Sequence, residues 1–444
     1  MHPFFEAQAL RLAATSFGMG FLTPLRFAHP FTGIDAVGRV LELKRWPGLT
    51  NNVAENDKVL TSWLRSRFGP AWMPRDFSAI PMAEFEDADA VIMGPPCQPF
   101  SRLGSQLGMS DPRSALFLQG IDLCEELHKR GDLKLVVIEN SPKILERMPD
   151  GRTPFDKIQE YWGSKMPAWL PLKPWVLDAW DHATGMSRSR VFLLSTPEVL
   201  KRVLNRNAAT ADSNDLGFPP PASAPTRTRL VDQLDYTAEE LCVGKIKGPV
   251  MKANYKHWKK VWRAKVTDQP GAFATGAVDL CRNVTKKFNT YLTMDAIPSP
   301  TRSNYSIVVF GTGAEGKVGM NGRMVTNEER ARVVGFDYAE LRAHMTPRQV
   351  SAAIGNSIAI NVLAAVMESA WSYLDAVKSR AESLKFELPV TFYSVTTAPI
   401  MVFGGLGLTP VISGPPCQPC KRQRNVILRH VITPVISAQT ASRA

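Results

Sequence analysis

Residues 25–44, LRFAHPFTGIDAVGRVLELK, read as strand, turn and helix. The first apolar run breaks at FTGID, and Val37, Val40 and Leu41 then recur at helical spacing. Three later runs repeat the first half of this pattern. NNVAEND (51–57) ends in Glu55, DADAVIMGPPCQPFS (87–101) ends in a proline-rich loop around Cys97, and LKLVVIEN (133–140) ends in Glu139 and Asn140. VFLLS (191–195), directly after SRSR, is a further strand. Strands that feed polar loops and alternate with helical segments build an open α/β sheet. Groups at the carboxyl ends of its parallel strands point into one crevice, so one shared cofactor-and-substrate site is expected there.

The rest of the composition narrows the class. The chain has 444 residues, 44% of them hydrophobic and 21% charged, which is enough for two or three domains with apolar cores. Six cysteines without four-ligand spacing predict neither a disulfide scaffold nor a metal site, and they favour a reducing compartment. An intracellular location is therefore expected, the nucleus for a eukaryotic protein or the cytoplasm for a bacterial or phage one. The N-terminal MHPFFEAQALRLAATSF lacks the basic and apolar regions of a leader, and prolines and glycines interrupt the uncharged stretch 388–420, so no membrane partner is expected. The net charge is +12, and it is not evenly spread: residues 244–291 hold eleven basic and two acidic side chains. Tyr255, His257, Trp258, Trp262, Phe288 and Tyr291 are interleaved with them, a mixture suited to phosphate contacts and stacking on nucleic acid. Lys252, Lys256, Lys259, Lys260, Arg263 and Lys265 are the candidate phosphate contacts.

GPPCQPFS (94–101) resembles the nucleophile loop of the cytosine-5 DNA methyltransferases. IEN (138–140), SRSRVF (187–192), RMVTNEERARVVGF (323–336) and GNSIAINVL (355–363) are similar, in family order, to further elements of that family. The resemblance implies a Rossmann-like S-adenosylmethionine-dependent α/β domain with an inserted target-recognition domain, double-stranded DNA as partner, and no requirement for an oligomer. It implies a chemistry that needs these residue types. Cytosine C5 is a poor nucleophile, and a thiolate added at C6 makes an enamine whose C5 can take a methyl group; Cys97 would supply it, from surroundings that favour thiolate. Glu139 would protonate N3 and accept from the exocyclic amine. Arg188 and Arg190 alternate on one strand and would clamp the base, its phosphate or the nucleophile loop. Gln98 and Ser101 would meet the DNA. The base must leave the duplex to reach Cys97.

For the cofactor, FTGID resembles the family's Phe-x-Gly-x-Gly loop, with Phe31 and Gly33 in place and Asp35 where a glycine is expected. Asp35 would hinder the methionine end unless its carboxylate turns to the cofactor's ammonium. Glu55 would take the ribose hydroxyls, Asp76 and Phe77 the adenine, and Pro96, Leu116, Asn356 and Ser357 would complete the pocket. Met186 and Ser141 depart from the family's glutamine and valine. Expected boundaries are 1–204 for the first part of the catalytic domain, 205–345 for a linker and recognition domain, 346–387 for a returning C-terminal helix, and 388–444 for a tail. VISGPPCQP (411–419) in that tail repeats VIMGPPCQP (91–99) at eight of nine positions without the elements that follow it, so Cys97 is the expected nucleophile. Two rival readings are a tRNA cytosine-5 methyltransferase and a DNA-binding protein without turnover.

Overall fold

A computed structural model describes residues 25–101, 107–131, 133–204, 218–224, 228–235, 246, 248–281, 292–301, 306–312 and 318–387. The strands in chain order are β1 (Leu25–Pro30), β2 (Gly48–Ala54), β3 (Ala90–Met93), β4 (Leu135–Asn140), β5 (Lys173–Asp178), β6 (Met186–Ser187) and β7 (Ser189–Ser195). Six of them form one sheet in the order β2-β1-β3-β4-β7-β5. The first four are parallel, and β7 runs antiparallel to both its neighbours. Alternation along the central strands explains why they read as unbroken apolar runs. Ala90, Ile92, Leu135, Val137, Phe192 and Leu194 enter the core on one face, while Val91, Met93, Val136, Ile138, Val191 and Leu193 enter the core on the other.

Helices cover both faces. α1 (Ala36–Lys44) and α2 (Thr61–Phe68) lie on the first with Val37, Val40, Leu41, Trp63 and Leu64. α3 (Ala115–Lys129) and α4 (Pro154–Lys165) lie on the second with Phe117, Ile121, Leu127, Ile158 and Trp162. The long basic helix α5 (Pro249–Asp268) instead packs one face on a separate four-stranded antiparallel sheet. Its strands are β8 (Thr275–Asp279), β9 (Thr293–Met294), β11 (Ile307–Gly311) and β12 (Arg323–Met324), in the order β12-β11-β8-β9. β10 (Ile297–Pro298) leaves that sheet to pair in parallel with β6, tying the insert to the segment that leads into β7. Trp262 is fully buried against this small sheet, where Gly276 leaves it room: a Cβ there would lie 2.6 Å from the indole ring.

The chain returns to the large core earlier than residue 346. Leu230, Ala277, Ile307 and Val309 already belong to it, as do Ala331, Val333 and Val334 on α6 (Asn327–Val334), which Thr326 and Glu329 open as a capping box. The expected single C-terminal helix is two, α7 (Pro347–Asn356) and α8 (Ile360–Glu387), because Ser357 adopts an extended conformation between them. The stretch 347–383 is long and apolar enough by composition to cross a membrane, and 83% of its most apolar window is buried inside the fold. The repeated GPPCQP string and Cys417 lie outside the described residues.

Candidate active site

The carboxyl ends of β1 to β4 open on one side of the sheet. Antiparallel β7 delivers its amino end to the same place, with Val191 opposite Asn140 and Phe192 opposite Glu139. β3 runs out at Met93 into the loop that carries Cys97. The Cys97 carbonyl accepts from Phe100 N–H (3.0 Å) and Ser101 N–H (2.8 Å), so the nucleophile loop closes as a tight turn. The Asn140 amide donates to the Pro95 carbonyl at 3.2 Å and fixes that turn to β4, a role the sequence reading did not assign. Gly94 allows a close approach: a Cβ there would lie 3.3 Å from the Glu139 carboxylate. Gln98 is exposed and Ser101 half-buried.

Glu139 Oε1 accepts from Arg190 Nε at 2.8 Å, with both side chains largely shielded. The expectation that Cys97 sits in thiolate-favouring surroundings is corrected here. Burial pushes its thiol above the ordinary value; the charges of Arg190 and Arg188 oppose this, and Glu139 adds to it. The two arginines also part company. Arg190 lies on β7, whereas Arg188 lies in the break between β6 and β7 and turns inward. Its Nη1 donates to the carbonyls of Pro300 (2.7 Å) and Gly355 (3.2 Å) and to Ser299 Oγ (3.3 Å), and its Nη2 donates to the Ser357 carbonyl (2.9 Å). Burial and Arg190 pull its pKa down to about 9, which leaves it charged at neutral pH. Arg188 is thus a strut between three chain segments rather than one of a pair of clamps.

At the β1 end, Phe31, Gly33 and Asp35 all have left-handed backbones, with φ of 61°, 56° and 61°. Glu55 at the end of β2 accepts from Gly33 N–H (2.9 Å) and Asp57 N–H (2.8 Å). A Cβ on Gly33 would meet nothing within 4 Å, so space opens over the loop. Phe77 is buried, edge-on to Phe31 at 4.8 Å, and Asp76 is exposed. Hydrogen bonds from Ser78 and Asn56 hold the Asp76 carboxyl below the usual range. Pro96 and Leu116 are half-buried and Asn356 exposed, while Ser357 is buried with its hydroxyl donated to the Ile358 carbonyl. Asp35 neither blocks this space nor offers its carboxylate to a ligand: the side chain turns inward to Gly38 N–H and Arg67. An open glycine, an acid on the next strand and a paired aromatic together fit an adenosyl cofactor.

The family model of the C-5 cytosine-specific DNA methylases matches residues 31–371. The chain belongs to this family. Type II methyltransferase M.FnuDI of Fusobacterium nucleatum is 26% identical over 180 residues, 40% of this chain and 46% of that protein. The mouse tRNA (cytosine(38)-C(5))-methyltransferase is 27% identical over 122 residues, 27% of this chain and 29% of that protein. The chain spans about half the length of the first curated relatives it matches. The structure of S. pombe Dnmt2 methyltransferase aligns with a TM-score of 0.46 and 17% identity, covering 82% of this chain and all of that one. The family match and the sheet order β2-β1-β3-β4-β7-β5 with helices on both faces give this chain the Rossmann-like fold of S-adenosylmethionine-dependent methyltransferases.

The basic segment divides between a core face and an outer face of α5. Tyr255 and Trp262 are buried and Asn254 donates to the Leu280 carbonyl, so these aromatics hold the helix to the small sheet and are not stacking platforms. On the outer face Lys252, Lys256, Lys260 and Arg263 are exposed. Lys259 and Lys265 lie over the rings of Tyr255 (5.7 Å) and Phe273 (5.6 Å). Two further partnerships escaped the sequence reading, because they join residues on different elements or in the protein interior. Arg67 reaches Asp35, and Arg323 forms a buried two-point ion pair with Glu329 at 2.5 and 2.8 Å.

Proposed function

We propose that the protein transfers a methyl group to C5 of a cytosine in double-stranded DNA through a covalent adduct on Cys97. The observation that carries the reading is the Glu139–Arg190 pair, held at the strand ends within electrostatic reach of the Cys97 thiol. Extruding the base costs a few kcal/mol, which contacts in the pocket must offset. Glu139 then meets N3 and the exocyclic amine of the flipped base, drawing charge off the ring as sulfur adds at C6. As the carboxylate turns to the base, the Arg190 charge acts on the sulfur with less opposition from Glu139 and favours loss of the thiol proton to solvent. Asn140, through Pro95, keeps the sulfur in register with the ring. Phe31, Gly33, Glu55, Asp76, Phe77, Pro96 and Leu116 would hold S-adenosylmethionine, with Asn356 and Ser357 at its edge. When bound, that cofactor supplies an electrophilic methyl group.

The exposed basic row on α5 supports a polyanionic substrate, and the family model and the Type II relatives favour DNA. Similarity to the mouse tRNA enzyme gives RNA as the second reading. Labelled methyl transfer is measured in parallel on duplex DNA and on transfer RNA, followed by a DNA duplex carrying 5-fluorocytosine. Incorporation into DNA and an adduct stable to denaturing electrophoresis are expected, because fluorine at C5 cannot leave as a proton. Incorporation into RNA alone moves the substrate, and methylation without an adduct rules out thiolate addition.

A further inference from the structure

The 31–35 loop carries this chain's clearest departure from its family's pattern, and the structure gives that departure an anchor. Asp35 adopts the left-handed conformation that a glycine would, which aspartate tolerates better than most residues. Its carboxylate is 2% exposed. One oxygen accepts from Gly38 N–H at 3.0 Å and caps α1; the other accepts from Arg67 Nε at 3.1 Å and Nη2 at 3.0 Å. Gly38 is part of the arrangement, since a Cβ there would lie 2.1 Å from the Asp35 carboxylate. Arg67 continues to Glu42 through Nη1. From the same face of α2, one turn earlier, Trp63 Nε1 donates to the Ile34 carbonyl at 3.1 Å. On its other side the loop is held by Glu55 through Gly33 N–H and by Ala54 through Thr32 N–H.

We infer that Asp35 and Arg67 are positioning residues for the cofactor: their ion pair fastens the strained loop to α2 in its binding conformation before the cofactor arrives, given that this loop is the cofactor site proposed above. Two non-glycine residues in five, Phe31 and Asp35, hold left-handed backbones, which persist only where the surroundings over-determine them. A glycine would merely permit this backbone conformation; the buried Asp35–Arg67 pair holds it in place. Burial opposes ionisation of Asp35, and the bond to His29, the Arg67 charge and the Gly38 amide outweigh it, so the pair stays charged. A loop set in advance spares the ligand its ordering cost, which appears as affinity.

The test is calorimetric titration of the full chain with S-adenosylhomocysteine, together with amide exchange of residues 33–38 in the ligand-free protein and a thermal melt. D35N keeps the left-handed backbone and the helix cap but loses the charge; R67M loses the charge from the other side. Each is expected to bind about tenfold more weakly, about 1.4 kcal/mol, with faster exchange at the Gly33 and Gly38 amides. D35N combined with R67M should be no weaker than either alone, because both remove one interaction. R67K should recover part of the loss, and it keeps the inference testable should R67M fail to fold. Native affinity and native exchange in both D35N and R67M would overturn the inference and leave Asp35 as a helix cap. Tighter binding by D35G would overturn it as well, showing obstruction. A native chain that takes up no S-adenosylhomocysteine overturns the cofactor reading, and the inference with it.

Discussion

Replacing Lys252, Lys256 and Lys260 with alanine removes a row of ammonium groups from the outer face of α5 without touching the Tyr255 and Trp262 side that packs on the small sheet. At four-residue spacing the three stand about 6 Å apart along the helix axis. One strand of duplex DNA carries a phosphate about every 3.4 Å of its axis, so each lysine can reach a phosphate of its own. Three lost contacts should lower the slope of log affinity on log salt by about 2.7. A fourfold rise in salt would then cost the native chain about 40-fold more affinity than it costs the triple variant. Fluorescence anisotropy with two duplexes of unrelated sequence, from 50 to 200 mM salt, reads both quantities. The loss should be the same for both duplexes, because phosphates carry no sequence. An unchanged slope in a variant with a native thermal melt would refute the reasoning and make the row a solvated face.

Cys97→Ser should abolish methyl transfer while leaving nucleic-acid affinity within about twofold, since a hydroxyl matches the thiol in size but not in acidity; Cys417→Ser should leave turnover intact, and the opposite pattern in a turnover assay would reassign the nucleophile. Because burial raises the Cys97 thiol, its alkylation by iodoacetamide in the substrate-free protein should still be climbing at about pH 9, whereas a plateau near neutrality would show a thiolate already formed. Arg323→Met strands Glu329 in a fully buried place and should cost about 3–5 kcal/mol in denaturant unfolding. Arg323→Met with Glu329→Leu should cost less, and equal losses would mean that the pair itself, rather than the stranded charge, sets the figure.

The central strands were legible because a parallel strand buried on both faces has no polar side to interrupt it: AVIM and LVVIEN announce themselves, together with the Cys97 and Glu139 that close them. Residues made by distant pairing were not legible. Arg188 and Arg190 look like one strand until β6 pairs with β10, more than a hundred residues on, and opens a break at Arg188. The share that residues before 346 take in the large core is likewise decided by what they pack against, as with Ala331 and Val334 of α6, not by their own period. One signal was present and passed over. Tyr255 and Trp262 stand seven residues apart, on one side of a helix, which marks a packed face rather than exposed rings. Asp35 misled for another reason: read against a pattern that wants glycine it is a defect, and only the arrival of Arg67 from α2 shows where the carboxylate goes.

The reach of Arg188 also sets a clock on synthesis. Its acceptors at Pro300, Gly355 and Ser357 are 112, 167 and 169 residues further along the chain. At about 5–20 residues per second, a ribosome needs about 8–34 seconds after making Arg188 to supply the last of them. Over that interval the nascent chain already contains Cys97, Glu139 and Arg190, but the wall that Arg188 supports has nothing to hang from. The pocket is therefore among the last parts of the molecule to be assembled, and a ribosome that stalls before residue 357 releases a polypeptide with the reactive thiol but without the finished site around it.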